Sequence, residues 1–186
     1  MPAQRVLKDT KEKMSKAIEA TKNRFASIRA GRASVSMLDG IKVDMYGSPT
    51  PLNQIGTVSA PEARMLMIDP WDKSIIPSIE KAIMQSNVGL TPSNDGKVIR
   101  LRIPELTADR RKEYVKLAKT EAENGKVAVR NIRKDSNNSL RTLEKDGEIS
   151  EDDLKRMETE IQKETDATIK MIDQLLATKE KEITTV

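Results

Sequence analysis

The side chains Val115, Ala118, Ala122, Gly125, Val129, Ile132, Ser136 and Leu140 advance along the chain by threes and fours. That spacing keeps returning to one face of an α-helix, so residues 105–146 read as a single amphipathic rod. At about 1.5 Å per residue the rod is about 60 Å long, more than a rounded core can surround. Its apolar stripe is narrow and rich in small residues, which suits a slender helix–helix seam. Thr107 is placed to cap the start with its hydroxyl, and Asp109 suits the positive end of the helix dipole.

Asn124-Gly125 interrupts this pattern with a pair that often marks a turn. A glycine inside a helix costs about 1 kcal/mol relative to alanine. The apolar phase, however, is the same on both sides of the pair, and a chain reversal would normally reset it. The expectation is therefore one continuous helix, locally thinned at Gly125.

Two other segments carry matching stripes. In residues 3–30, Leu7, Met14, Ile18, Thr21, Phe25 and Ile28 keep a near-heptad rhythm, and Gly31 supplies a stop signal. "KDGEISEDDL" (145–154) closes the long helix and opens a third over 151–183. Gly147 suits the left-handed conformation after a helix end, and Ser150 with Asp153 resembles a capping box with a shortened acid. The third stripe uses Leu154, Met157, Ile161, Thr168, Met171 or Ile172, and Leu175. A long antiparallel three-helix bundle hides all three stripes most simply. Composition agrees: 37% of residues are hydrophobic and 33% charged, and Phe25, Tyr46, Trp71 and Tyr114 are the only aromatics.

The middle has another texture. Pro49, Pro51, Pro61, Pro70, Pro77, Pro92 and Pro104 punctuate it. "IKVDMYG", "IGTVSA", "RMLMID" and "KVIRLRIP" read as short strands, and "KSIIPSIEKAIMQS" as a short helix that tolerates Pro77 only near its first turn. The fold class is thus mainly α with an inserted α+β domain. Residues 31–104 form the insert, and 1–30 with 105–186 form the bundle. Two chain crossings join them, at Gly31-Arg32 and Pro104-Glu105, which permits bending while restraining free rotation. These four residues are the expected hinge.

Several function classes lose their chemistry here. With no Cys there is no disulfide framework or thiolate zinc site, and with no His the usual general base near neutral pH is missing. Neither GxxxxGK nor GxGxxG occurs, and no calcium-loop spacing is present. Ser78-Ile79-Glu80-Lys81 matches SxxK but lacks the companion SDN and KTG segments, so it reads as an ordinary helix. Asp152-Asp153 reads as a favourable helix start rather than a metal pair. No metal, no cofactor and no catalytic residue is expected, although an enzyme with a concealed carboxylate site stays as a competing class. No apolar run approaches membrane-spanning length, and "MPAQRVLKDTKEKMSKAIEA" lacks a signal-peptide core. A soluble cytoplasmic monomer without a membrane partner is expected, so the sequon at Asn137-Asn138-Ser139 carries no meaning.

The charge is unevenly spread. Residues 1–34 and 110–134 each hold nine Lys/Arg against three Asp/Glu, residues 151–182 hold ten acids against six bases, and residues 35–103 balance at seven of each. Two basic segments suggest an anionic partner, nucleic acid ahead of a membrane surface. Lys112, Lys116, Lys119, Glu123, Lys126, Arg130 and Arg133 repeat the three-four spacing one position away from the apolar seam, and Lys134 stands beside them. Such a stripe often does no more than solvate a helix and pair with nearby acids. Here Glu123 is its only acid, and its far end carries Arg, whose planar fork suits phosphate. With few aromatics for stacking, structured RNA met through its backbone fits better than single strands. A general basic coiled-coil RNA-binding protein or RNA chaperone is one reading of this pattern.

The stretches "SIRAGRAS" (27–34), "LDGIKVDMYGSPTPLNQI" (38–55), "LTADRRKEYVKLAK" (106–119) and "AVRNIRKDSN" (128–137) narrow the choice. In their order and separation the chain resembles the ribosome recycling factors over essentially its whole length. Glu105 departs from the Pro or small apolar residue common there, and Lys134 from a frequent Arg. The resemblance implies an L-shaped molecule, with a three-helix domain and a smaller β/α/β sandwich domain. It implies binding to the large ribosomal subunit and its ribosomal RNA after termination. Elongation factor G, which itself binds and hydrolyses GTP, would then drive subunit separation and release of mRNA and tRNA. Family RNA contacts map onto Arg111, Arg130 and Arg133 through "RRK" and "AVRNIR". With the row, the expected RNA-binding set is Arg111, Lys112, Lys116, Lys119, Lys126, Arg130, Arg133 and Lys134. The small domain would face elongation factor G and the small-subunit side.

Overall fold

The computed structural model describes residues 2–28 and 31–185. Its α-helices are α1 (Pro2–Ser27), α2 (Ile76–Gln85), α3 (Ala108–Lys145) and α4 (Glu151–Thr185). The three long ones follow the three apolar stripes and pack into one compact unit; the chain between Gly31 and Thr107 makes a second.

The long unit is an antiparallel three-helix bundle. α3 runs unbroken for 38 residues, about 57 Å, and is continuous through Asn124-Gly125. The reason is close packing: a Cβ on Gly125 would stand 2.5 Å from Thr21 Oγ1 and 3.4 Å from Ile172 Cδ1. The missing side chain lets α1 and α4 approach α3 there, so the turn signal loses to tertiary contact. Register across the bundle is fixed at the end that carries the α3–α4 turn. Ala3, Leu140, Met157 and Ile161 share one apolar cluster, and the hydroxyls of Thr10 and Ser136 share a 2.6 Å hydrogen bond. α1 and α4 therefore run parallel, both antiparallel to α3.

So thin a core has room for few large side chains. Thr10, Thr21, Thr165 and Thr168 are buried, and each hydroxyl donates to the carbonyl four residues earlier at 2.7–2.9 Å. The helix thereby satisfies its own buried polar groups while the methyl packs inward. Of the two candidates in the third stripe, Ile172 is buried and Met171 exposed.

The helix ends carry their own chemistry. α1 stops at Ser27, short of the expected residue 30; Ile28 N–H donates to the Phe25 carbonyl in a tightened last turn, and Ser27 Oγ donates to Arg24 O. The last two residues of that expected helix lie outside the described residues. At the end of α3, Gly147 has φ 74°, with Glu148 N–H bonded to Leu143 O and Gly147 N–H to Glu144 O. This is the Schellman closure. Ile149 and Leu143 both pack on the nearby apolar cluster. α4 opens half a capping box: Asp153 N–H donates to Ser150 Oγ at 3.1 Å. The short Asp153 carboxylate takes the Ser150 hydroxyl at 3.0 Å rather than reaching the backbone.

The second unit contains a hairpin of β1 (Lys42–Met45) and β2 (Ser48–Pro51). It also has an antiparallel four-stranded sheet of β3 (Gly56–Glu62), β4 (Met65–Pro70), β5 (Pro92–Asn94) and β6 (Ile99–Arg102), in spatial order β3-β4-β6-β5. α2 contacts both β1 and β5, and Ile76, Ile79 and Ile83 enter a core with Val43, Leu66, Ile68, Ile99 and Leu101. Pro77 sits in the first turn of α2, where its missing N–H costs nothing. Two strands, β2 and β5, lie where the sequence reading placed none. Both are short, contain proline and occupy sheet edges, where a lost donor is tolerated.

Candidate nucleic-acid interface

α3 carries the cation row, and the packing of α4 divides it. Lys119, Lys126 and Arg133, seven residues apart, lean toward α4. Lys119 Nζ lies 3.7 Å from Glu180 Oε1, and Lys126 pairs with Asp173. Arg133 Nη1 donates to Gln162 Oε1 at 3.2 Å. Lys126 is largely enclosed, its side chain only 19% exposed. Arg111 also reaches α4, donating from Nη1 to the Thr184 carbonyl at 3.2 Å.

Lys112, Lys116, Arg130 and Lys134 instead stand on the outer face of α3, all exposed. Lys112, Lys116 and Lys134 make no ion pair among the described residues. Arg130 Nη1 is 2.9 Å from Glu123 Oε1, so the row's single acid holds its arginine along the helix axis. An exposed pair of this kind contributes at most about 1 kcal/mol and breaks readily for a stronger anion. Arg133, half-buried, spends one of its five N–H donors on Gln162 and keeps a pre-oriented fork for a second acceptor. At the start of α3, Arg111, Lys112, Val115, Lys116, Lys119 and Thr184 line an open recess of about 360 Å³. A long, stiff edge with several unneutralised cations and one oriented guanidinium has the geometry of a phosphate-backbone track rather than of a pocket for an isolated small anion.

The four expected hinge residues lie within the second unit. Gly31 has φ 74°, and Leu106 Cγ stands 2.9 Å from where its Cβ would be. Ala33 N–H donates to Ala63 O and Ile103 N–H to Arg64 O, while Glu105 Oε1 pairs with Arg64 Nη1 at 2.6 Å. Arg32 and Pro104 are exposed.

The sequence reading gave no role to Tyr46 or Trp71, which are 92% and 69% exposed on the small unit. Only their membership of a four-residue aromatic set could have drawn attention to them, because nothing in a short strand pattern separates a buried aromatic from a displayed one. Among the described residues, no helix is long and apolar enough to cross a membrane, and no group of three or more acidic side chains could hold a metal ion.

Known proteins resemble this chain over nearly its whole length. The family model described as ribosome recycling factor matches residues 21–184. A ribosome-recycling factor from Fusobacterium nucleatum is 69% identical over 184 residues, covering 98% of this chain and 97% of the relative. One from Syntrophomonas wolfei is 58% identical over 178 residues, covering 96% of each. A solution structure of a ribosome recycling factor superposes with TM-score 0.73 at 40% identity, covering 100% of this chain and 99% of the other. A second structure contains models for the Thermus thermophilus ribosome recycling factor and the Escherichia coli elongation factor G bound to the E. coli post-termination complex. Its matching chain gives TM-score 0.61 at 44% identity, over 98% of this chain and 99% of that one. With the family model matching residues 21–184 and a relative 69% identical over 98% of this chain, the chain belongs to the ribosome recycling factor family.

Proposed function

We infer that this protein binds the post-termination ribosome and, with elongation factor G and GTP, separates the subunits so that mRNA and tRNA leave. The observation that carries the reading is the outer face of α3, where Lys112, Lys116, Arg130 and Lys134 are exposed along one rigid edge. Large-subunit ribosomal RNA is the partner of that edge. Arg130 and Arg133 supply oriented forks, and Lys112, Lys116 and Lys134 supply point charges. Arg111, Lys119 and Lys126 belong to the same set but share their charge with α4, so each contributes less to RNA affinity.

The role is mechanical rather than catalytic. The bundle anchors and transmits, the small unit receives force from elongation factor G, and GTP is bound and hydrolysed by that partner. Bending at Gly31-Arg32 and Pro104-Glu105 lets one unit move while the other stays seated. The Arg64–Glu105 pair, exposed and therefore weak, latches one of these crossings to the small unit. The chain works as a cytoplasmic monomer without turnover of its own.

A polysome-breakdown assay tests the reading. Breakdown should need this protein, elongation factor G and GTP together, and omission of any one should abolish it. Equal affinity for arbitrary duplex RNA and for vacant large subunits would replace recycling with general RNA binding. With five phosphate contacts, a tenfold rise in salt should weaken large-subunit binding by about 10⁴-fold or more.

A further inference from the structure

The geometry points to Tyr46, at the tip of the β1–β2 hairpin, as a docking side chain for a protein partner of the small unit. Rather than aiding folding, its conformation is unfavourable. Tyr46 has φ 52° and is the one non-glycine at positive φ among the described residues. With Gly47 at φ 87° it makes the two-residue turn between Met45 and Ser48, a geometry that favours Asn, Asp or Gly in its first position. The ring gains nothing in return within the chain, because Tyr46 is 92% exposed. A bulky aromatic in a left-handed turn with no packing is a local conflict, and such conflicts concentrate at functional positions.

The turn is also held ready. Gly47 N–H donates to Asp44 Oδ1 at 2.7 Å, and Val43, three residues before Tyr46 on β1, is wholly buried in the core. The ring therefore projects from an anchored hairpin, so little order has to be gained on docking. Charge decides the class of partner. Residues 35–103 balance seven acids against seven bases, whereas residues 110–134 carry nine bases against three acids. A neutral unit with a displayed ring is suited to an apolar recess on a protein, since tyrosine is enriched at the centres of protein interfaces. RNA is addressed by the other unit. Under the function proposed above, on which this inference rests, the partner is elongation factor G.

The test uses the full chain, vacant ribosomes, elongation factor G and GTP. Tyr46→Asn and Tyr46→Gly fit the left-handed turn and should raise the thermal midpoint by about 2–4 °C. Large-subunit affinity should stay within about twofold, while the rate of subunit splitting falls at least about tenfold; Tyr46→Phe should split at the wild-type rate. Unchanged splitting in both Asn and Gly variants overturns the assignment. So does a loss of large-subunit affinity equal to the loss of splitting, which would place the ring on RNA or a ribosomal protein. If the wild-type protein itself fails to split ribosomes, the underlying function is at fault, and the Tyr46 assignment falls with it.

Discussion

Replacing Gly125 by alanine sets two known effects against each other at one position. Alanine improves helix propensity by about 1 kcal/mol. Its Cβ would also lie 2.5 Å from Thr21 Oγ1 and 3.4 Å from Thr21 Cγ2 and Ile172 Cδ1. Thr21 has no easy retreat. It is fully buried, its hydroxyl donates to Ala17 O at 2.9 Å, and its β-branch leaves one stiff torsion to adjust. Rotation about that torsion either puts the methyl where the hydroxyl stood or turns the hydroxyl away from Ala17 O and breaks its bond. Overpacking a dense core costs about 1–3 kcal/mol, and a contact this short belongs in the upper half of that range. The net expectation for Gly125→Ala is a loss of about 1–2 kcal/mol, measured by urea unfolding at unchanged m-value. In a Thr21→Ala background the obstruction is gone, and Gly125→Ala should become neutral or stabilising by up to about 1 kcal/mol. The cycle then shows a coupling of about 1–3 kcal/mol. Stabilisation by Gly125→Ala in the wild-type background, or simple additivity of the two changes, would refute the close-crossing argument.

Arg133→Glu should weaken large-subunit binding and flatten its salt dependence while leaving the thermal midpoint nearly unchanged, since a surface charge reversal costs little stability; equal affinity across a salt series rejects the contact. Lys116→Ala and Lys126→Met should separate the two faces of the row. The first lowers RNA affinity with stability within about 0.5 kcal/mol, and the second costs about 1 kcal/mol of stability through the Asp173 pair with a smaller effect on binding. Denaturant midpoints and filter binding on the same samples distinguish them. Asp95 accepts hydrogen bonds from the Val98 and Lys97 N–H groups and from Arg100 Nη1, each at 2.9 Å, and these hold its carboxyl well below the usual carboxylate range. Because the folded value is depressed, the stability it adds is present above the unfolded value of about 3.9 and is lost only as pH falls through the folded one. NMR titration should show the Asp95 carboxyl still ionised, and the Lys97 and Val98 amide shifts still unmoved, as pH falls below the ordinary aspartate value of about 3.9.

Much of the bundle was legible because helical period is a local property. Ala118, Ala122, Val129 and Leu140 were placed on the buried face by spacing alone, and all are buried. Gly147 and Ser150 announced the α3–α4 turn through their own backbone and side-chain chemistry. The edge strands β2 and β5 were hidden because proline suppresses the pattern by which strands are recognised, and only a neighbouring strand makes such segments extended. Asn124-Gly125 carried opposite local and periodic signals, so its outcome depended on Thr21, more than a hundred residues away in the chain.

By itself the sequence determined the three rods, the inserted sheet unit, the absence of thiol and imidazole chemistry, and a line of cations along one helix. Period and composition act over a few residues, and they are printed in the chain. What only the tertiary structure decided is which cations of that line remain available. Lys126 is enclosed against Asp173 and Lys119 stands near Glu180, while Lys112, Lys116 and Lys134 look outward. A helix fixes the angle between its own side chains, but the direction from which a second helix brings its acids is set by packing alone.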